Sequence, residues 1–207
     1  MAAAIEVRDA RPDDVAGLIT LWGEMSIGAG HQRVLAAPTP ESVRASIDRL
    51  GGDPAGRLVV GELDGHLSGM VYLRRTPISP LHAEDTMTVE YLHVTDRARR
   101  HGLGKALVAE AAAWAEHENC PYLGVVAPAV AREANRFLAR LGLSQAAVLR
   151  FAATHTVRRR LAAEHAPNLL AMLSSRRSVI ARRAQLGRHP GESADLSSPA
   201  EPESAGR

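Results

Sequence analysis

Apolar residues recur along this chain with two spacings, every three or four residues in some stretches and every second residue in others. The first spacing is typical of an amphipathic helix and the second of a half-buried strand. The predicted elements are a strand at 4–8, helices at 12–25 and 41–50, strands at 57–63, 66–73 and 86–94, a helix at 104–118, a strand at 122–126, a helix at 130–140, strands at 145–151 and 154–160, and a helix at 169–186. This order predicts an α/β fold with a mixed central sheet of about seven strands, flanked by about four helices, plus an extra C-terminal helix.

Three consecutive strands carry the clearest local signals. The runs 57–63 and 66–73 are joined by Asp64-Gly65, a two-residue sequence typical of a type I′ hairpin turn. The run 86–94 has bulky side chains on both faces, as expected of a central strand. On one predicted face lie Met87, Val89, Tyr91 and His93, and on the other lie Thr88, Glu90, Leu92 and Val94.

Charge divides the chain at its C-terminal end. The formal net charge of the 207 residues is only +2, yet residues 151–207 contain nine arginines and five acidic residues. We therefore divide the chain into an α/β domain at 1–160, a basic amphipathic helix at 161–187 and a disordered tail at 188–207. We expect the basic helix to pack on the domain or on a second copy of the chain in a homodimer, in preference to nucleic acid.

Cysteine and histidine usage excludes several classes of protein. Cys120 is the only cysteine, so no internal disulfide is possible, and the nine histidines include no pair at metal-ligand spacing on a predicted helix. The first residues lack the pattern of a signal peptide, and no apolar run approaches the roughly 18 residues of a membrane span. We therefore predict a cytoplasmic protein with no metal and no membrane partner.

The stretch VTDRARRHGLGK, residues 94–105, joins the strand at 86–94 to the next helix. Gly102 and Gly104 stand where the loop becomes a helix, and four basic residues surround them. Unpaired N–H groups at a helix start, together with positive charge, bind an anion such as phosphate. The basic residues are Arg97, Arg99, Arg100 and Lys105.

Spacing separates the known kinds of phosphate loop. A P-loop requires glycine at position 99 and serine or threonine at position 106, but Arg99 and Ala106 stand there. A dinucleotide-binding loop favours a small residue at position 107, which is Leu107. The remaining pattern is Arg99-x-x-Gly102-x-Gly104.

This pattern resembles the Gln/Arg-x-x-Gly-x-Gly/Ala signature of the GNAT superfamily of N-acetyltransferases. The segment EYLHV before the loop, the segment AREANRFLARLGL after it and the element order extend the resemblance over residues 4–160. The resemblance implies the GNAT fold, with acetyl-coenzyme A as the co-substrate.

The resemblance also implies a cofactor site. In the superfamily, the loop N–H groups hold the pyrophosphate, and the end of the fourth strand, splayed from the fifth by a bulge, pairs with the pantetheine arm. Asn135 is a further candidate because it lies one helical turn after Ala131, which replaces the usual asparagine of the family. The implied cofactor residues are Leu92, His93, Val94, Arg99, Arg100, His101, Gly102, Leu103, Gly104, Lys105 and Asn135.

Glu90 is the candidate base that deprotonates the acceptor amine, since many members carry a catalytic acid at this place in E-x-L-x-V. The alternative is a structural glutamate that pairs with an arginine. The N–H of Val94 would polarise the carbonyl. Leu138 replaces the usual tyrosine acid, so either the thiolate leaves unassisted, or Tyr122 or His93 protonates it, or the chain is a weak catalyst.

The sequence leaves the acceptor open. The resemblance points to the first two helices, with Trp22, Glu24, His31 and Gln32, and to the neighbourhood of His82, Glu84 and Asp85. The predicted activity is transfer of an acetyl group to a primary amine of a small molecule, peptide or protein by direct attack. The alternatives are a non-catalytic acyl-coenzyme A-binding regulatory module and acetylation of an aminoacyl-tRNA, which the basic helix permits.

Overall fold

The computed structural model describes residues 3–29, 37–150 and 152–164. The chain forms two compact units, Met1–Phe151 and Ala152–Arg207. The elements of the first unit are β1 (Ile5–Asp9), α1 (Val15–Ala29), α2 (Pro40–Gly51), β2 (Gly56–Leu63), β3 (His66–Pro77), β4 (Asp85–Val94), α3 (Leu103–His117), β5 (Tyr122–Val125) and α4 (Arg132–Arg140), with single 3-10 turns at Pro12–Asp14 and Asp96–Ala98. In the second unit, residues 154–164 are helical.

The strands form one mixed sheet in the order β1-β2-β3-β4-β5. The first four strands are antiparallel, and β5 pairs with β4 in parallel. Asp64 and Gly65 both have positive φ angles, 51° and 77°, as the predicted type I′ turn requires. The α/β class is therefore confirmed, but the described residues contain five strands instead of about seven.

The two missing strands were predicted after α4, and both predictions are wrong. Residues 145–150 have no regular structure, and their apolar side chains Val148 and Leu149 are 58% and 63% exposed, so no neighbouring strand covers them. Residues 154–160 are helical, because Arg, Leu and Ala in 158–163 favour a helix more strongly than the alternation at 154–157 favours a strand.

Other predicted boundaries differ from the structure or fall outside the described residues. Helix α1 continues to Ala29, beyond the predicted end at residue 25. The helix at 169–186, most of the basic segment at 161–187 and the tail at 188–207 lie outside the described residues. The predictions of a homodimer through the basic helix, and of nucleic-acid binding by it, therefore stay predictions.

Helices cover both faces of the sheet. Helix α3 packs on one face through Leu103, Leu107 and Ala111, against Val71 and Val89 of the sheet. On the other face, α1 and α2 pack against Val60 and Met70, and the helices contribute Val15, Leu18, Leu21 and Ile47. The end of β4 therefore lies between α1 and α3.

An ion-pair cluster holds the start of α1 to the sheet. Arg8 of β1 donates to both carboxylate oxygens of Asp14, at 2.7 and 2.8 Å, and to Glu62 of β2. The Arg8 guanidinium lowers the pKa of Asp14 below its ordinary value, because it binds the ionised carboxylate. Since Asp14 directly precedes α1, this cluster sets how the helix leaves the sheet.

Candidate active site

Strand β4 exchanges its two faces at Tyr91. Tyr91 has a φ angle of 54°, and the register with β3 shifts between the pairs Met70–His93 and Tyr72–Glu90, which marks a β-bulge. Beyond the bulge, Leu92 and Val94 join Val89 in the core under α3. The strict alternation predicted for residues 86–94 is therefore wrong after Glu90.

The bulge brings Glu90 and His93 to the same face of the sheet. Glu90 pairs with Tyr72 and His93 with Met70 in the register, and Met70 packs under α1. The two polar side chains are three residues apart, so a regular strand would have placed them on opposite faces. A non-glycine residue in the left-handed region costs about 1–2 kcal/mol, so the rest of the strand must hold this bulge in place.

Strands β4 and β5 separate just before the bulge at Tyr91. Their last register pair is Val89–Val125, followed by a hydrogen bond from Val126 N to Val89 O of 2.8 Å. Within the described part of the chain, Glu90–Val94 has a partner strand only on the β3 side. The edge of β4 toward β5 is therefore unpaired beside the backbone of Leu92, His93 and Val94, and we call this place the cleft.

The N–H of Val94 points into this cleft. Thr95 N donates to Ser68 O on the β3 side at 2.9 Å. Successive N–H groups of a strand point to opposite sides, so the preceding N–H, that of Val94, faces the β5 side. Its direction suits a donor to a carbonyl oxygen bound in the cleft.

The anion loop, residues 99–105, leads from this cleft into α3. Gly102, with a φ of 93°, is the N-cap residue, and no side chain caps the helix. The first helical hydrogen bond runs from Ala106 N to Gly102 O, so the N–H groups of Leu103, Gly104 and Lys105 lack helical acceptors. A Cβ on Gly104 would lie 3.8 Å from Val94 Cγ2, which shows that the cleft and the helix start adjoin.

The arginines of the anion loop lie close to acidic side chains. Arg99 pairs with Asp96 at 2.9 Å, and both Arg99 and Arg100 approach Glu133 of α4, at 3.9 and 3.8 Å. His101 Nδ1 lies 2.9 Å from Arg99 O. The loop therefore offers backbone N–H groups and a net positive charge that Glu133 reduces.

Two residues of α4, Asn135 and Leu138, occupy positions that the resemblance singled out. The side-chain NH₂ of Asn135 donates to Pro128 O and Ala131 O, both at 3.0 Å, and so holds the turn before α4. Leu138, at the position of the family tyrosine, is only 6% exposed and packs as a core residue. The predicted cofactor contact of Asn135 stays a prediction.

Glu90 forms an ion pair. Arg74 Nη2 donates to Glu90 Oε1 at 3.0 Å, and the Glu90 side chain is mostly buried whereas Arg74 is half exposed. This is the pairing expected of a structural glutamate, a charge-assisted hydrogen bond to an arginine. The role of Glu90 as base stays a prediction.

Helix α1 supplies two partners to the bulged end of β4. His93 Nε2 lies 3.3 Å from Glu24 Oε2. The rings of Trp22 and Tyr91 lie beside each other, with centroids 5.4 Å apart and planes tilted by 37°. Glu24 and Trp22, predicted for the acceptor side, are thus in contact with the strand that lines the cleft.

Other predicted residues lie far from this place. Tyr122 begins β5 opposite Thr86, and His82, Glu84 and Asp85 precede or begin β4. Val94 is eight residues from Thr86, roughly 26 Å along a strand. Tyr122 and the loop before β4 therefore lie toward the other end of the strand from Val94, and their predicted roles stay predictions. His31 and Gln32 lie outside the described residues.

Three residues of the site escaped the sequence analysis. Tyr91 has no glycine or asparagine signal for a positive φ, so its bulge has no local signature. Arg74 and Glu133 are ordinary surface charges in the sequence, and only the strand register and the position of α4 bring them to Glu90 and to the anion loop.

The described residues offer neither a cysteine nucleophile at the cleft nor a metal cluster. Cys120 follows α3, at the opposite end of that helix from the anion loop, and burial raises the pKa of its thiol. Residues 3–29, 37–150 and 152–164 contain no group of three His, Cys, Asp or Glu side chains able to hold a metal ion. Among the same residues, no helix is long and apolar enough to cross a membrane.

Solved structures share this fold at low sequence identity. A transcriptional regulator from Bacillus halodurans C-125 has a TM-score of 0.63 and 21% identity, over 72% of this chain and all of that one. Glucosamine-6-phosphate N-acetyltransferase from Arabidopsis thaliana has a TM-score of 0.60 and 15% identity, over 73% and 99% of the two chains. An aminoglycoside N-acetyltransferase in complex with coenzyme A has a TM-score of 0.59 and 12% identity, over 74% and 97%.

Sequence comparison gives the family directly. No curated protein matches the chain. The model of the acetyltransferase (GNAT) family, however, matches residues 30–143, which is more than half of the chain and contains β4, the anion loop and α4. With the bulged strand, the cleft and the uncapped start of α3, this match shows that the chain belongs to the GNAT family of acetyltransferases.

Proposed function

We propose that this acetyltransferase moves the acetyl group of acetyl-coenzyme A to a primary amine of a small molecule, peptide or protein. The observation that carries the proposal is the junction of the β4–β5 cleft with the uncapped, glycine-initiated start of α3. An extended thioester arm fits beside an unpaired strand edge, and a pyrophosphate fits on converging N–H groups at a helix start. Acetyl-coenzyme A supplies an activated acetyl group and a thiolate leaving group.

The chain's own groups support direct attack of the amine on the thioester. The N–H of Val94 faces the cleft and can stabilise the oxyanion that develops on the carbonyl. Two side chains on the adjoining face, Glu90 and His93, can accept a proton from the amine. Cys120, the only cysteine, is buried, and burial raises the pKa of its thiol, which disfavours an acetylated cysteine intermediate.

Two measurements test the proposal. Calorimetry measures acetyl-coenzyme A binding, and a thiol-release assay with mass spectrometry detects transfer to a panel of amines. The panel contains an aminoglycoside, glucosamine 6-phosphate, spermidine and a peptide with an N-terminal alanine. Binding together with acetylation of one panel member is the expected result, and absence of acetyl-coenzyme A binding would contradict the proposal.

A second candidate function is a non-catalytic acyl-coenzyme A-binding module. The buried Leu138 favours this candidate, because the family usually carries its general acid, a tyrosine, at this position. Tight binding without thiol release on any amine would support this candidate. Acetylation of an aminoacyl-tRNA stays a prediction.

A further inference from the structure

The face of β4 toward α1 carries two groups that can accept a proton from an amine, and their surroundings differ. Glu90 is bound to Arg74 at 3.0 Å, so protonation of Glu90 would sacrifice an ion pair. His93 lies 3.3 Å from a carboxylate, so protonation of the imidazole would create an ion pair. Of the two groups, only His93 therefore has a carboxylate as its partner.

The contact with Glu24 also sets which ring nitrogen of His93 is available to accept a proton. An ionised carboxylate can only accept a hydrogen bond, so Nε2 of His93 must carry the hydrogen that points to Glu24 Oε2. In the neutral ring the lone pair then resides on Nδ1. A carboxylate that orients an imidazole and stabilises its protonated form is the arrangement that makes histidine an effective base in hydrolases.

His93 lies on the strand that lines the cleft, next in the chain to the N–H that we propose binds the carbonyl oxygen. It directly precedes Val94, whose N–H faces the cleft, while the His93 side chain lies on the face toward α1. Its side chain is 12% exposed, so it is shielded from bulk water but open to a bound molecule. The charged groups that face it are Glu24 of α1 and, further along the strands, the Glu90–Arg74 pair.

From this geometry we propose that His93, oriented by Glu24, is the catalytic base, and that it returns its proton to the leaving thiolate. The inference rests on the proposed function. As the amine nitrogen forms its bond to the acetyl carbon, the carbon–sulfur bond breaks and the amine proton moves to Nδ1 of His93. The thiolate sulfur then receives this proton, which leaves His93 neutral and accounts for turnover without the tyrosine that Leu138 replaces.

Two variants and one matched control test the assignment. His93→Gln removes the base, and Glu24→Gln keeps its hydrogen-bonding shape but loses the charge that orients His93. The control is His117→Gln, because His117 Nδ1 lies 3.1 Å from Glu118 Oε1 in a second histidine–glutamate pair, at the far end of α3 from the anion loop. Each variant is measured by thiol release with the best amine of the panel and by calorimetry with acetyl-coenzyme A.

We expect His93→Gln to lower kcat by about 100-fold and Glu24→Gln by about tenfold, while acetyl-coenzyme A affinity is unchanged. The ratio of wild-type to His93→Gln kcat/KM should fall as the pH is lowered, since a protonated imidazole cannot act as base. Ionisation of the amine cancels in this ratio, and a purely structural histidine would leave the ratio independent of pH.

The outcomes separate this inference from the proposed function. A wild-type enzyme that acetylates an amine, together with a His93→Gln variant of equal kcat or a pH-independent ratio, overturns the inference and leaves the function standing. The inference is also overturned, and the function left standing, if Glu90→Gln instead of His93→Gln abolishes the pH dependence of kcat/KM. A wild type that binds acetyl-coenzyme A but releases no thiol with any amine overturns both.

Discussion

The two sides of the candidate active site are built in different ways. The proposed donor side, residues 94–105, is one continuous stretch that offers backbone N–H groups at the end of β4 and the start of α3. The proposed acceptor side consists of Trp22, Glu24, Tyr91 and His93 and offers side chains, and Glu24 and His93 are 69 positions apart in the chain.

This difference predicts how each side responds to substitution. Every residue except proline carries a backbone N–H, so the donor side depends on conformation and tolerates many changes of side chain. The acceptor side depends on the identity of each side chain and on the position of α1. Substitutions should therefore separate acetyl-coenzyme A affinity from the kinetic constants for the amine.

The largest effect is expected from a substitution of Arg8, which holds the start of α1 to the sheet. Arg8→Met leaves Asp14 and Glu62 without their shared cation, and both side chains are largely buried. Removal of one partner from such a cluster should lower the free energy of unfolding by about 3 kcal/mol, measured by urea denaturation. Because the cluster positions α1, the KM for the amine should rise more than the Kd for acetyl-coenzyme A.

Arg74→Met is the matched control for stability. Arg74 is about half exposed and its loss leaves only one carboxylate, Glu90, without a cation, so it should cost clearly less than the loss of Arg8. Equal losses in the two variants would contradict the idea that the Arg8 cluster anchors α1.

The next effect concerns the donor side alone. Gly102→Ala places a side chain on a residue with a φ of 93°, which costs roughly 1–2 kcal/mol for an L-residue. The nearest atom to the new Cβ would be Ile5 Cδ1 at 3.5 Å, so the cost comes from the backbone. As the N–H groups turn away, the Kd for acetyl-coenzyme A should rise about tenfold in calorimetry.

Gly51→Ala serves as the control for Gly102→Ala. Gly51 ends α2 and does not require a positive φ. The Cβ that alanine would add there has no atom within 4 Å. Its substitution should leave acetyl-coenzyme A affinity unchanged. If it weakened binding as much as Gly102→Ala, the conformation of the anion loop would not be the cause.

A smaller effect is expected on the acceptor side. Trp22→Leu removes the ring that lies 5.4 Å from Tyr91, a contact worth about 1 kcal/mol. The KM for the amine should rise about fivefold, in line with that energy, while the Kd for acetyl-coenzyme A stays the same. A parallel loss of acetyl-coenzyme A affinity would show that the two sides are not separate.

The smallest effect, on the free energy of unfolding, is expected from mild acid. Arg8 holds the pKa of Asp14 below its ordinary value of 3.8, so the ionised carboxylate stabilises the folded state above that pH. This contribution is lost as the pH falls through the lowered pKa of the folded state, and at pH 4 the loss has only begun. Asp14→Asn should make the free energy of unfolding less dependent on pH over the range in which Asp14 takes up its proton.

Part of the fold and of the site could be predicted locally. The Asp64-Gly65 turn and the start of α3 near Gly102 and Gly104 are short-range features, because glycine permits conformations that other residues avoid. The strands predicted at 145–151 and 154–160 failed because strand formation requires a partner that the sequence does not display.

The sequence by itself determined the α/β class, the family resemblance and the anion loop as the candidate donor side, since these depend on local spacing and on one continuous stretch. Only the tertiary structure decided which side chains meet at the acceptor side. The bulge at Tyr91 exchanges the faces of β4, so that Glu90 and His93 share one face, and packing of α1 brings Glu24 to His93. The physical reason is that register and packing depend on contacts between residues distant in the chain, and such contacts leave no local pattern.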